Sequence, residues 1–141
     1  MQIRLKIRKL KDTTLPAYAM AGDAGLDLFA SETTLIKKGE KTAVPIGIAM
    51  EIPEGYVGLI WDKSGLAVKN GLKTLGGVID SGYRGEVLVG MINLGDADYS
   101  IDKGHKVAQM LIQKKESVIV EEVSELAEAE RGNRGFGSSG K

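Results

Sequence analysis

Apolar and charged positions alternate from the start of the chain. Ile3, Leu5 and Ile7 interleave with Arg4, Lys6 and Arg8, the period of two expected of a half-buried strand with a charged outer face. The same rhythm predicts strands over Thr33 to Lys37 and Thr42 to Ile52, split by a Lys38-Gly39-Glu40 turn. In the second, Val44, Ile46, Ile48, Met50 and Ile52 face inward, and Pro45 marks an edge or a strand start. Pro53-Glu54-Gly55 turns the chain into a strand from Tyr56 to Trp61. Glu86 to Leu94 is apolar on alternate and intervening positions alike, which fits core on one face and a subunit interface on the other. Gly95 to Asp98 reads as a turn, and Ser117 to Val123 as a last regular strand. One stretch breaks the β pattern: Ser64 serves as N-cap, Leu66 to Asn70 as a short helix and Gly71 as its terminator.

Short β-branched runs together with 19 glycines predict an all-β fold, a sandwich or barrel, and 141 residues suffice for one domain with a real core. Nineteen basic and 19 acidic residues cancel, so no global field draws the chain to nucleic acid or to an anionic membrane. The absence of cysteine excludes disulfides, thiolate metal sites and a cysteine nucleophile, and the lone His105 reads as a solvated turn residue rather than as part of a metal site or a serine–histidine pair. No apolar run approaches the roughly 20 residues of a membrane span. The first residues already read as strand rather than signal peptide, so the expectation is a soluble, cytoplasmic protein. If such a chain handles an anionic substrate, it must gather Lys, Arg and backbone N–H groups locally.

Candidate chemistry is concentrated in five stretches. Gly76-Gly77-Val78-Ile79-Asp80 reads as a short buried strand ending on a carboxylate; a Ser81-Gly82 turn follows, and Tyr83-Arg84-Gly85-Glu86 opens a second strand of a hairpin. An Asp on a rigid strand end suits the orienting of a water, although Asp-Ser-Gly is also ordinary turn composition. Ala24-Gly25-Leu26-Asp27-Leu28 places a carboxylate among apolar neighbours, where it must be satisfied, most simply by local backbone N–H groups. Asp62-Lys63-Ser64-Gly65 opens the helix with free N–H groups and nearby lysines, an arrangement that suits anions and that capped helices also share. Lys103-Gly104-His105-Lys106-Val107-Ala108-Gln109-Met110-Leu111-Ile112 sets two lysines and an amide beside an apolar run. After an acidic stretch from Glu121 to Glu130, the tail Arg131-Gly132-Asn133-Arg134-Gly135-Phe136-Gly137-Ser138-Ser139-Gly140 has the composition of a disordered end. It also holds the two arginines, two hydroxyls and one aromatic of a flexible nucleotide clamp.

Taken in chain order, the five stretches resemble the five signature motifs of the trimeric dUTP diphosphatases (dUTPases), and the resemblance spans nearly the whole chain. It implies a jelly-roll-like β-barrel or sandwich over residues 1–123 and a C-terminal arm over 124–141 that closes an active site. The implied assembly is a homotrimer with active sites between subunits, and the implied reaction is dUTP plus water giving dUMP and pyrophosphate with Mg²⁺ on the triphosphate. By this resemblance Asp80 activates the water that attacks the α-phosphorus, and Tyr83 packs on the deoxyribose and excludes a 2′-hydroxyl. Lys63, Ser64, Gly65, Gln109, Arg131, Ser138 and Ser139 hold the phosphates; Phe136, followed by Gly137, stacks on uracil; Asp27 joins the outer water shell of the magnesium. The family commonly has Arg at Lys63 and Lys106, Asp at Gly82, Thr at Ser139 and, in some members, a uracil-reading Asn at Thr74. The last departure leaves backbone groups of the hairpin, Gly77 among them, to read the base. A lysine supplies charge without the planar fork of an arginine. A dCTP deaminase on the same fold, or a non-catalytic nucleotide- or partner-binding module, are the alternatives; the Gly-rich tail argues against the first, and Asp80 with Tyr83 against the second.

Overall fold

The structure, a computed structural model, describes residues 2–137 and 139–140. Eleven short strands and one helix follow in chain order: β1 (Lys6–Lys9), β2 (Leu26–Phe29), β3 (Thr34–Ile36), β4 (Lys41–Pro45), β5 (Ile48–Glu51), β6 (Tyr56–Trp61), α1 (Ser64–Asn70), β7 (Leu72–Leu75), β8 (Val78–Ile79), β9 (Leu88–Asn93), β10 (Tyr99–Ile101) and β11 (Lys106–Lys114). Every pairing among them is antiparallel: β1 with β5, β10 with β3, the row β2-β11-β6-β8, and the row β4-β9-β7. Leu28, Ile36, Val44, Ile48, Ile60, Leu72, Val89, Ile101 and Met110, drawn from all four sheets, bury their side chains in one common core. The result is the all-β sandwich that the patterning predicts, with the jelly-roll-like form that the resemblance implies.

Several elements depart from expectation, each for a local reason. The run from Thr42 to Ile52 is not one strand, because Gly47 (φ 69°) breaks the alternation and hands the chain from the β4 sheet to the β5 sheet. The expected hairpin around Asp80 does not form: β8 pairs with β6 rather than with β9, and Val78 is 67% exposed rather than buried. From Tyr83 to Val87 the chain is loop, held to itself by a Tyr83 Oη donation to the Glu86 carbonyl (2.7 Å) and an Arg84 Nη1 donation to the Ser81 carbonyl (2.6 Å), so the next strand starts at Leu88. Helix α1 begins at Ser64 itself; Lys63 occupies the N-cap without a side-chain cap, and Gly71 (φ 70°) ends the helix as expected. Tyr99–Ile101 adds a strand that the turn-like flanks concealed.

Strands β2 and β6 begin where the pattern places them, and the face of β9 opposite the core carries half-exposed Leu88 (44%) and Ile92. The expected last strand, Ser117 to Val123, is absent: regular structure ends at Lys114, and Val118, Ile119 and Val120 lie 80–97% exposed. Their β-branched composition favours a strand, but among the described residues they pair with no other strand. Truncating Leu72, which is 1% exposed, to Ala should cost about 2–5 kcal/mol in urea unfolding. A loss under about 1 kcal/mol would show that the sheets close over the cavity left behind.

Candidate active site

The row β2-β11-β6 brings three of the five stretches together. Gln109 on β11 stands opposite Asp27 on β2 in one direction and Trp61 on β6 in the other, and β6 runs straight into Asp62-Lys63-Ser64. A polar cavity of about 340 Å³ opens at this junction, lined by Asp23, Ala24, Gly25, Asp27, Lys63, Ser64, Gly65 and Gln109.

Asp27 is buried, yet no backbone N–H satisfies its carboxylate as the simplest reading expects. Lys63 Nζ donates to Oδ1 at 2.6 Å and Lys106 Nζ lies 2.9 Å from Oδ2. Burial pushes this carboxyl up, but the hydrogen bonds and charges of the two lysines outweigh burial and hold it below its ordinary value of 3.8. A second carboxylate, which sequence reading passed over, sits next door. Asp62 accepts from the Thr74 N–H and the Thr74 hydroxyl, both at 2.7 Å, and pairs with Lys73 Nζ at 3.0 Å. Burial again pushes up, and these donors again pull the carboxyl below 3.8. The signal for it was available: an Asp directly before a helix start, with a Thr on the following strand. Thr74 itself is buried and spends its polar groups on Asp62.

Gln109 donates from Nε2 to the Asp62 carbonyl at 2.8 Å. Its amide is further confined by Gly25, where a Cβ would come within 2.5 Å of Gln109 Oε1. Because one N–H is committed to Asp62, the second remains as a donor toward the cavity. Positive charge is gathered here as the balanced composition requires. A neighbouring cavity of about 510 Å³ shares Lys63 and Gly65 with the first and adds Lys69, His105 and Lys106 above Phe29, Leu66 and Tyr99. His105 is exposed, as expected of a turn residue.

The remaining candidates lie apart. No residue from 76 to 86 lines the polar cavity. Asp80 and Tyr83 are exposed on their loop. Gly77 lines a separate cavity of about 120 Å³ with Ile60, Trp61, Thr74 and Val78; at its φ of 104° a Cβ would press on the Ile60 carbonyl at 2.9 Å. Arg131, Phe136, Gly137 and Ser139 are exposed in the tail, and Ser138 lies outside the described residues. Among the described residues the polar cavity thus gathers Lys63, Ser64, Gly65 and Gln109, and neither Asp80, Tyr83 nor a tail residue lines it.

The dUTPase family model matches residues 11–140. The chain is 46% identical over 140 residues to the deoxyuridine 5′-triphosphate nucleotidohydrolase of Clostridium tetani, covering 97% of each, and 48% identical over 132 residues to that of Clostridium kluyveri, covering 92% of each. Its fold is similar to a Staphylococcus bacteriophage 80alpha dUTPase solved with dUpNHpp, with a TM-score of 0.93 and 30% identity over 99% of this chain and 100% of that one. It is also similar to a dUTPase from phage phi11 of S. aureus described with a structural Mg(II) ion, with a TM-score of 0.81 and 29% identity over 87% and 98%. Among the described residues no helix is long and apolar enough to cross a membrane.

Both depressed carboxyls bind protons less readily folded than unfolded. The stability they contribute is therefore complete above 3.8 and is lost as pH falls below it. Urea midpoints should therefore fall as pH is lowered through 3.8 and below, and Asp27→Asn should show a shallower drop. A variant curve parallel to the wild type would show that the two lysines do not hold this carboxylate.

Proposed function

The chain belongs to the dUTPase family, and from that premise we propose that it hydrolyses dUTP to dUMP and pyrophosphate at a site shared between copies of the chain. The observation that carries the shared site is the polar cavity at the β2-β11-β6 junction, which offers Lys63, Ser64, Gly65 and Gln109 to phosphate oxygens while neither Asp80 nor Tyr83 of the same chain lines it.

In this reading Ser64, Gly65 and the free N–H of Gln109 grip the phosphates. Lys63, held at the rim by Asp27, supplies charge without a bidentate grip. Asp80 of a neighbouring copy accepts a proton from water as the oxygen attacks the α-phosphorus, and the bond to the bridging oxygen breaks to release pyrophosphate. Tyr83, whose hydroxyl is tied to the Glu86 carbonyl, presents a fixed ring to the deoxyribose and leaves no space for a 2′-hydroxyl. Gly77 and its backbone neighbours read uracil. Phe136 and Gly137 close over the base, and Arg131, Ser138 and Ser139 close over the phosphates.

Mg²⁺ fits this site as part of the substrate: among the described residues no group of three His, Cys, Asp or Glu side chains could hold a metal alone, and Mg²⁺ keeps its waters when phosphates bind it. Carried on the triphosphate, it neutralises charge and orients the chain of phosphates. Asp27, with one lysine on each oxygen, retains lone pairs that can accept from a metal-bound water. We place the copies in a closed homotrimer, supported by the half-exposed apolar face of β9 and by exposed Trp61 and Val78 beside the Gly77 cavity.

Replacing Asp80 with Asn keeps the shape and removes the base, so dUTP turnover should fall by about 10²-fold or more while dUTP still binds. Near-normal turnover would remove Asp80 from the mechanism. Deleting everything after Glu130 should leave the melting temperature and the assembly mass nearly unchanged and abolish most dUTP hydrolysis, since the described residues of that tail are exposed. A truncated protein working at the full rate would refute the closing role of the arm.

A further inference from the structure

We propose that Asp62 is a positioning residue of the phosphate site. It stands between two cavities and belongs to the lining of neither. Its carboxylate is held at three points on β7, by the Thr74 N–H, the Thr74 hydroxyl and the Lys73 ammonium. Its carbonyl receives the Gln109 amide. Its peptide leads directly into Lys63-Ser64-Gly65. One residue therefore fixes both the side-chain donor from β11 and the start of the donor loop.

The geometry separates this role from that of an ordinary turn anchor. A turn Asp satisfies its own local backbone, whereas Asp62 reaches 12 residues along the chain to a buried Thr and leaves its carbonyl for a partner 47 residues away. On its other flank the Gln109 amide lies against position 25, where any side chain larger than glycine's would overlap it. With the Asp62 carbonyl displaced, the amide loses the acceptor that decides which of its ends faces the phosphates. A carboxamide turned to present Oε1 would repel a phosphate oxygen. The Asp62–Thr74 couple is thus a lever on ground-state phosphate binding, while water activation by Asp80 lies outside its reach.

The inference rests on the reading of the polar cavity as the phosphate site, and its test separates the two. In Asp62→Ala, KM for dUTP and the inhibition constant of pyrophosphate with Mg²⁺ should both rise about tenfold, the effect of losing one or two oriented hydrogen bonds, with kcat within a few-fold. Asp62→Asn keeps an acceptor for Thr74 and should recover most of the loss. The side-chain amide resonance of Gln109 should shift in Asp62→Ala without any ligand and return toward its place in Asp62→Asn. Should Asp62→Ala fail to fold, Thr74→Val removes one of the three donors and should move all three readouts the same way, less far. A folded Asp62→Ala protein with unchanged KM and an unmoved Gln109 resonance would overturn the proposal. Wild-type enzyme indifferent to pyrophosphate would overturn the phosphate reading of the cavity instead, and the Gln109 resonance would still decide the role of Asp62.

Discussion

A buried carboxylate that must not stay alone governs this end of the molecule. Asp27 lies beneath the surface between apolar neighbours, and an unpartnered charge there would cost several kcal/mol, on the order of the net stability of a small domain. Its partners come from two places, Lys63 at the foot of α1 and Lys106 at the first position of β11. The seat of α1 and the approach of β11 to β2 are therefore coupled through one charge. By the resemblance of the sequence motifs both lysines replace a commoner arginine, and both meet on the same carboxylate. Two compact ammonium groups can each take one oxygen, whereas a pair of planar forks would compete for the same two atoms. The paired departures read as one adjustment rather than two losses.

Much of this was legible from residue order. The patterning located β6 after the Pro53-Glu54-Gly55 turn and β9 within its all-round apolar run. It failed where a side chain's partner is remote. Asp27 looked like a local backbone acceptor, and its lysines lie 36 and 79 positions onward. Asp62 carried no pattern at all, since its role depends on Thr74 and Gln109 arriving from other strands. Asp80 and Tyr83 read as two ends of a hairpin, but their loop closes on itself and its flanking strands join different sheets. Ser117 to Val123 has the composition of a strand and, among the described residues, pairs with none. Propensity describes what a segment would accept as a neighbour; it does not supply the neighbour.

The separation of Asp80 from the polar cavity also bears on how defects would behave when two kinds of chain are made together. In the shared site proposed above, a chain lacking the Asp80 carboxylate still carries sound phosphate donors, and a chain lacking Gln109 still carries a sound base. Each alone would assemble into an inert enzyme. Mixed within one assembly, they would generate some sites that draw the intact half from each, so two lesions in one gene could rescue one another. Two lesions confined to the same half would have no such recourse. The map of which defects complement is thus written in the distance a single chain keeps between the parts of its own site.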